Sequence, residues 1–200
     1  DVHAKALVSI YGNAAAIFKA PIKQLEHIEG IGTIRANSIK HFNDFKTCEE
    51  EITFIEKYKI TPLFLTDKKY PQRLLNCYDS PALLYYRGCA DLNAAKIISI
   101  VGTRNNSHYG KQVCEKIIED LSNQNILIIS GLAFGIDTIA HKSALKNNLQ
   151  TIGVLAHGLD MIYPPQNKSL AKQMVDMGGL LTDFKSKTNP DKQNFPKRNR

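Results

Sequence analysis

A chain of 200 residues has room for one domain of ordinary size and a smaller companion. Its 43% apolar and 22% charged composition, with 12 Gly and 8 Pro, excludes wholesale disorder and collagen-like repeats. No apolar run approaches the roughly 20 residues needed to cross a bilayer, and the net charge of +7 is very unevenly placed.

Residues 1–60 carry eight basic and eight acidic side chains, so they are neutral and read as helical. Segments 4–11 and 14–19 are good helix formers on either side of Gly12-Asn13, and Pro21 suits the start of a third helix. Apolar residues at Leu25, Ile28, Ile31, Ile34, Ala36 and Ile39 predict two short helices around the turn Gly30-Ile31-Gly32. Such a helix-hairpin-helix-like unit can present backbone amides to a DNA phosphate, but its neutrality argues against a strong grip on DNA, and a scaffolding or partner-binding role fits it equally. A further amphipathic helix is expected over 48–59, through Ile52, Ile55 and Tyr58.

Residues 61–95 are punctuated by Pro62, Pro71 and Pro81 and read as a junction, in which 81–88 predicts an edge strand that tolerates an opening proline. From residue 96 the pattern becomes regular. Apolar strands are expected at 97–101, 126–129, 151–155 and 180–184. Helices are expected at 110–124, from a cap at Asp137 through Lys146, and from Asn167 to Met177. This alternation predicts a parallel sheet covered on both faces, in an α/β domain over 96–200.

In open sheets of this type ligands sit at the carboxyl ends of the strands. Here those ends carry Gly102, Thr103, Arg104 and Ser107, then Ser130 and Gly131, then His157, Gly158 and Asp160. Glycines and small hydroxyls ahead of helix starts, beside the planar cation of Arg104, point to a phosphate-binding cleft; tight strand-to-helix turns explain the same glycines without a ligand. No dinucleotide fingerprint follows the first strand, and no P-loop is present, so no nucleotide cofactor is expected. Cys48, Cys77, Cys89 and Cys114 form no C-x-x-C, and no two histidines have metal-ligand spacing, so neither a metal nor a disulfide framework is expected. Ser107, His108, Asp137, His141, His157 and Asp160 offer triad chemistry only on paper, because no G-x-S-x-G elbow presents a nucleophile. Residues 184–200 hold six basic side chains against the single acid Asp191, with Phe195 set among them. An aromatic beside dense cations is the usual arrangement for single-stranded nucleic acid, the alternative being a merely solvated basic end.

The ordered run Ile100-Val-Gly-Thr-Arg104, Tyr109-Gly110, Ile129-Ser-Gly-Leu-Ala133, Gly135-Ile-Asp137, Ala140-His141, Gly158-Leu-Asp160, Tyr163-Pro164, Asn167 and Phe195-Pro-Lys-Arg-Asn-Arg200 closely resembles the DNA-processing protein A (DprA/Smf) family. Tyr70-Pro71 and Pro81-Ala-Leu-Leu-Tyr-Tyr-Arg-Gly88 are similar to that family's lead-in, and segment 25–39 to its small N-terminal helical domain. The resemblance implies an extended Rossmann-like sheet behind a helix-hairpin-helix or SAM-like domain. It implies a non-enzymatic, dimeric protein that binds single-stranded DNA in natural transformation and helps load a RecA-type recombinase; the cysteine spacing, without a disulfide framework, points separately to a reducing, cytoplasmic setting. By position it places Arg104 on a phosphate, with Gly102, Thr103, Ser107, Ser130 and Gly131 lining the site. Lys192 would add a basic contact, and Phe195, Lys197, Arg198, Asn199 and Arg200 the rim and stacking platform. Two positions depart from the pattern, Phe134 and Pro165, where the family often has a basic residue. The family normally continues past Arg-Asn-Arg and this chain lacks an initiator Met, so it is expected to be a fragment cut inside its DNA-binding domain.

An enzyme of different class, acting on a nucleotide or phosphoribosyl substrate, would need a P-G-G-x-G-T-x-x-E stretch; Gly178-Gly179 leads instead into Leu-Leu-Thr-Asp. A pure protein-interaction module would leave the basic tail unexplained.

Overall fold

The computed structural model describes residues 1–199. Five helices open the chain: α1 (Val2–Tyr11), α2 (Ala14–Lys19), α3 (Ile22–Glu26), α4 (Gly32–Lys40) and α5 (Phe45–Lys57). The side chain of Asn13 accepts the Ala16 N–H to start α2, and that of Asp44 accepts the Thr47 N–H to start α5, three residues earlier than the periodicity predicts. Leu7, Ile17, Ala20, Leu25, Ile31 and Ala36 close a core of their own, so the apolar spacing around the Gly-Ile-Gly turn encodes packing of α1 to α4. Lys5 joins this core to the rest, its Nζ donating to the carbonyls of Leu75 (2.8 Å) and Cys77 (2.9 Å).

Six strands follow in one sheet: β1 (Thr61–Phe64), β2 (Leu83–Gly88), β3 (Ile97–Ser99), β4 (Leu127–Ser130), β5 (Thr151–Val154) and β6 (Gly179–Thr182). Their spatial order is β1-β2-β6-β5-β4-β3, parallel from β3 to β6 and antiparallel for the β6–β2 and β2–β1 pairs. The expectation that 81–88 is an edge strand fails. Pro81 lies outside β2, so its missing N–H leaves the ladder intact, and β1, which carries Pro62, takes the edge instead. β1 itself has no clear signature, because prolines and lysines break the apolar alternation around it. β3 pairs only with β4 and stops at Ser99, so Val101, counted in the sequence as part of a buried strand, is 78% exposed.

Three crossover helices, α6 (His108–Leu121), α7 (Ile136–Lys146) and α8 (Lys168–Met177), connect the parallel strands. Strands added in one direction through right-handed crossovers bring successive helices to the same face. Ile128 therefore packs with Cys114, Ile118, Ala140 and Ala144, and Leu180 with Leu170, Ala171 and Met174. The alternate residues Leu127, Ile152 and Leu181 face the other way, against Tyr70, Leu84, Ala90 and Leu92. The second face is thus covered by the segment between β1 and β3, including the short 3-10 turn Gln72–Asn76, and not by crossover helices. Asn167 precedes α8 as expected, but its side chain does not cap the helix. It donates to the Leu132 carbonyl (2.9 Å) and the Thr138 hydroxyl (2.8 Å), tying α8 to the β4–α7 loop.

His141 on α7 is fully buried, with Nδ1 2.7 Å from the Thr151 hydroxyl, which itself donates to the Ile128 carbonyl (3.1 Å). That donor chain places a proton on Nδ1, and Nε2 has no partner among the described residues. Burial pushes the imidazole down to about 3. The unfolded ring takes up a proton below about 6.5 while the folded ring stays neutral, so stability falls as pH drops from 6.5 toward 3. The slope from this residue is about 1.4 kcal/mol per pH unit. Denaturant midpoints measured across that window are expected to fall less steeply in a His141→Gln variant; parallel curves would refute the assignment.

Candidate nucleic-acid interface

The parallel strands end together, and the loops after β3 and β4 meet α9 (Asn194–Arg198) above them. The contact that brings the tail there is made by Arg198. Its Nη1 donates to the carbonyls of Gly131 (2.8 Å) and Val154 (2.6 Å), at the ends of β4 and β5, while Nε donates to the Asn199 side chain (2.9 Å). A Cβ at Gly131 would lie 2.1 Å from that Nη1, so glycine is needed there to admit the guanidinium. Burial pulls Arg198 down from the ordinary arginine range; Asp137 opposes the change and Arg104 adds to it.

Phe195 stands one helical turn before Arg198, half buried, with the Arg198 guanidinium 6.0 Å from its ring centre and that of Arg104 5.6 Å away. Tyr163 packs on it as well, ring centres 6.2 Å apart. The aromatic therefore has two cations beside it, Arg198 from its own helix and Arg104 from the loop after β3. They differ in state: Arg198 is committed to carbonyls, whereas Arg104 is exposed and has no hydrogen bond among the described residues. Gly102, Arg104, Ser130, Gly131, Lys197, Arg198 and Asn199 line one cleft of about 640 Å³, with a floor of Ile97, Ile129, Val154 and Leu181.

The sequence matches the profile of the family described as DNA recombination-mediator protein A over residues 61–200. The chain belongs to this family. It is 36% identical over 170 residues to the DNA processing protein DprA of Streptococcus pneumoniae (strain ATCC BAA-255 / R6), covering 78% of this chain and 60% of that protein. It is 37% identical over 193 residues to the protein Smf of Synechocystis sp. (strain ATCC 27184 / PCC 6803 / Kazusa), covering 92% of this chain and 47% of that one. The chain thus spans about half the length of the curated relatives it matches. Among solved structures, DprA from Streptococcus pneumoniae superposes with a TM-score of 0.81 at 30% identity, over 98% of this chain and 67% of that one. DNA processing protein A from Helicobacter pylori, whose structure is described as revealing a unique single-stranded DNA binding mode, gives 0.61 at 29% identity over 70% and 63%. The Rossmann-like α/β architecture expected from the resemblance is the one observed.

Several residues expected to line the family's site are occupied by the protein itself. The Ser107 hydroxyl caps α6 by accepting the Gly110 N–H (3.1 Å). Ser130, buried, donates to the Ile100 carbonyl (2.6 Å), and Thr103 accepts the Asn105 N–H (3.2 Å). The start of α7 is closed as well. Gly135 (φ +77°) lets the Thr103 carbonyl approach, where it accepts the Ile136 N–H (3.1 Å). Asp137 is not the cap; it sits in the first turn of α7 and accepts the Ala133 N–H (3.3 Å). Lys197 is exposed on α9 and Lys192 in the turn before it, and Arg200 lies outside the described residues. Phe134 is 45% exposed and Pro165 is exposed in a short helical turn.

The paper triad dissolves for the same reason. His141 faces Thr151, Asp160 accepts the Lys187 N–H (2.9 Å), and buried His157 meets the Gly158 carbonyl and the Tyr163 N–H. Two cleft features have no counterpart in the sequence reading. Its apolar floor comes from alternate strand residues that periodicity could assign only to some covered face. Arg73, on the opposite wall, is held by the carbonyls of Ala94 and Ala95. Tyr163 was visible as part of a motif, but not as the neighbour of Phe195.

Replacing Gly131 by Ala forces Arg198 off its carbonyls and should destabilise the protein by about 1–3 kcal/mol, the usual range for overpacking. Arg198→Leu, which removes the donor to both carbonyls and leaves them unpaired, should fall in the same range. Unchanged thermal unfolding in both variants would show that the clamp is dispensable.

Proposed function

We propose that this chain is a non-catalytic single-stranded DNA binder that mediates recombination, the Phe195 ring and its flanking cations forming the binding surface. The observation that carries this reading is the exposed, uncommitted Arg104 set against Phe195, with Lys192 and Lys197 alongside. A ring with cations at its margin takes a base on the aromatic and phosphates on the charges, without regard to sequence. The single-strand binding described for the Helicobacter pylori relative supports it. In this reading Arg104, Lys192 and Lys197 meet phosphates, and Phe195 and the exposed Phe134 meet bases. Gly102, Thr103, Ser107, Ser130, Gly131 and Arg198 hold those groups in place. Asn199 completes the rim. Residues 1–60 form a helical module, 61–95 the junction and 96–200 the DNA-binding domain. As a mediator the protein works as a homodimer in the cytoplasm and hands its strand to a RecA-type recombinase. The nucleotide-enzyme reading has no observation behind it: Gly178 and Gly179 are where a Cβ would strike the Thr151 backbone and the Tyr86 ring.

Fluorescence anisotropy of a labelled oligo-dT and of a matched duplex over a salt series tests the proposal. The single strand is expected to bind more tightly, with a logarithmic salt slope that falls by about 0.7 per lost phosphate contact. Arg104→Ala combined with Lys192→Ala should remove close to two such contacts. Phe195→Ala should weaken binding by about 1–3 kcal/mol with the slope nearly unchanged. Equal affinity for duplex and single strand, or an unaltered slope in the double variant, would overturn it.

A further inference from the structure

The amphipathic helix α5 has an exposed ridge that the proposed DNA site does not use. One side of α5 is attached to the body of the protein. Glu51 accepts both the N–H and the hydroxyl of Ser186, Glu50 pairs with Lys187 (3.1 Å), and Phe54 and Ile55 are half buried. The other side carries Phe45 and Ile52, 56% and 53% exposed, although both are large apolar residues. Spacings of four, three and four residues put Phe45, Glu49, Ile52 and Glu56 on one line along the helix, so apolar and acidic groups alternate turn by turn. Both acids are exposed and neither is in an ion pair among the described residues. The exposed ring of Phe42 extends the ridge beyond Phe45, edge to face at 5.3 Å, and the exposed Phe18 follows at 6.1 Å from Phe42.

We infer that the ridge Phe42–Phe45–Glu49–Ile52–Glu56 is a docking surface for a protein partner, specifically a helical segment that alternates aliphatic and basic side chains one turn apart. Charge complementarity selects this occupant. Aliphatic groups cover Phe45 and Ile52, and lysine or arginine set between them meets Glu49 and Glu56. A phosphate backbone meets the same two carboxylates and is repelled. In a symmetric antiparallel pairing of α5 with its copy that brings Phe45 close to Ile52, Glu49 comes within a residue of its own counterpart, so a second copy of this chain in that register sets like charges against each other. Positively charged strand ends for DNA and an acidic, apolar helix for protein let one molecule hold both at once.

Two labelled synthetic helical peptides test this on the full chain, one of leucine and lysine at three- and four-residue spacing and the other with glutamate for every lysine. The lysine peptide is expected to bind about three- to tenfold more tightly than the glutamate peptide, as two surface charge pairs allow. Glu49→Lys with Glu56→Lys should reverse that order, and Phe45→Ser with Ile52→Ser should abolish binding of both. The serine substitutions lie on the exposed side, and oligo-dT binding by the same variant checks that the fold survives, independently of the peptide result. Equal affinity of the two peptides would reduce the ridge to non-specific stickiness and overturn the proposal. Displacement of the lysine peptide by oligo-dT would identify a nucleic-acid surface instead, and a dimer lost on Phe45→Ser would identify a self-association surface.

Discussion

One guanidinium, laid across Gly131 and donating to two strand-end carbonyls, determines how the C-terminal end of this sheet is built. Carbonyls at the ends of parallel strands lose their ladder partners, and leaving them buried and unpaired costs about as much as a lost hydrogen bond. Arg198 satisfies two of them at once and in doing so brings α9 against the sheet. Phe195, carried on the same turn of helix, arrives beside Arg104 as a consequence. The arrangement therefore uses the more buried of these two arginines for assembly and leaves the exposed one without a hydrogen bond among the described residues.

Economy of the same kind runs through the loops. Glycines and small hydroxyls at strand ends suit a phosphate, but here Ser107, Ser130 and Thr103 spend their hydroxyls on backbone groups, and Gly135 admits a carbonyl to the start of α7. These bonds lock the β3 and β4 loops together, so the side chains that remain free, Arg104 foremost, are held on a stiff frame. Preorganisation of this sort lowers the ordering cost of binding. Helix α5 follows another logic. α5 is anchored through Glu51 and Ser186, and on its other side Phe45 and Ile52 stay exposed among acidic neighbours.

Local chemistry made much of this visible beforehand. Five helices in the first 60 residues, the order of strands and helices from residue 96, and the gathering of Gly102, Arg104, Ser130 and Gly131 at one edge all follow from periodicity and turn residues. Motif order also pointed to the right family. Strand ends were harder to read, because β3 lacks a second neighbour and stops early, and because β2 is flanked by a strand whose own prolines disguise it.

What the sequence by itself determined is which residues can form helices and strands, which face of each is apolar, and that an aromatic and a basic cluster sit in the last residues. Those properties depend on neighbours within a turn or two. Only the tertiary structure decided that Arg198 is a clamp while Arg104 is free, that Gly131 receives a guanidinium, and that Phe45 and Ile52 stay uncovered. Arg198 lies 67 residues from Gly131 and 44 from Val154, so no local pattern records the pairing. Burial and the unmet carbonyls at the strand ends choose between two arginines that the sequence presents as equivalent.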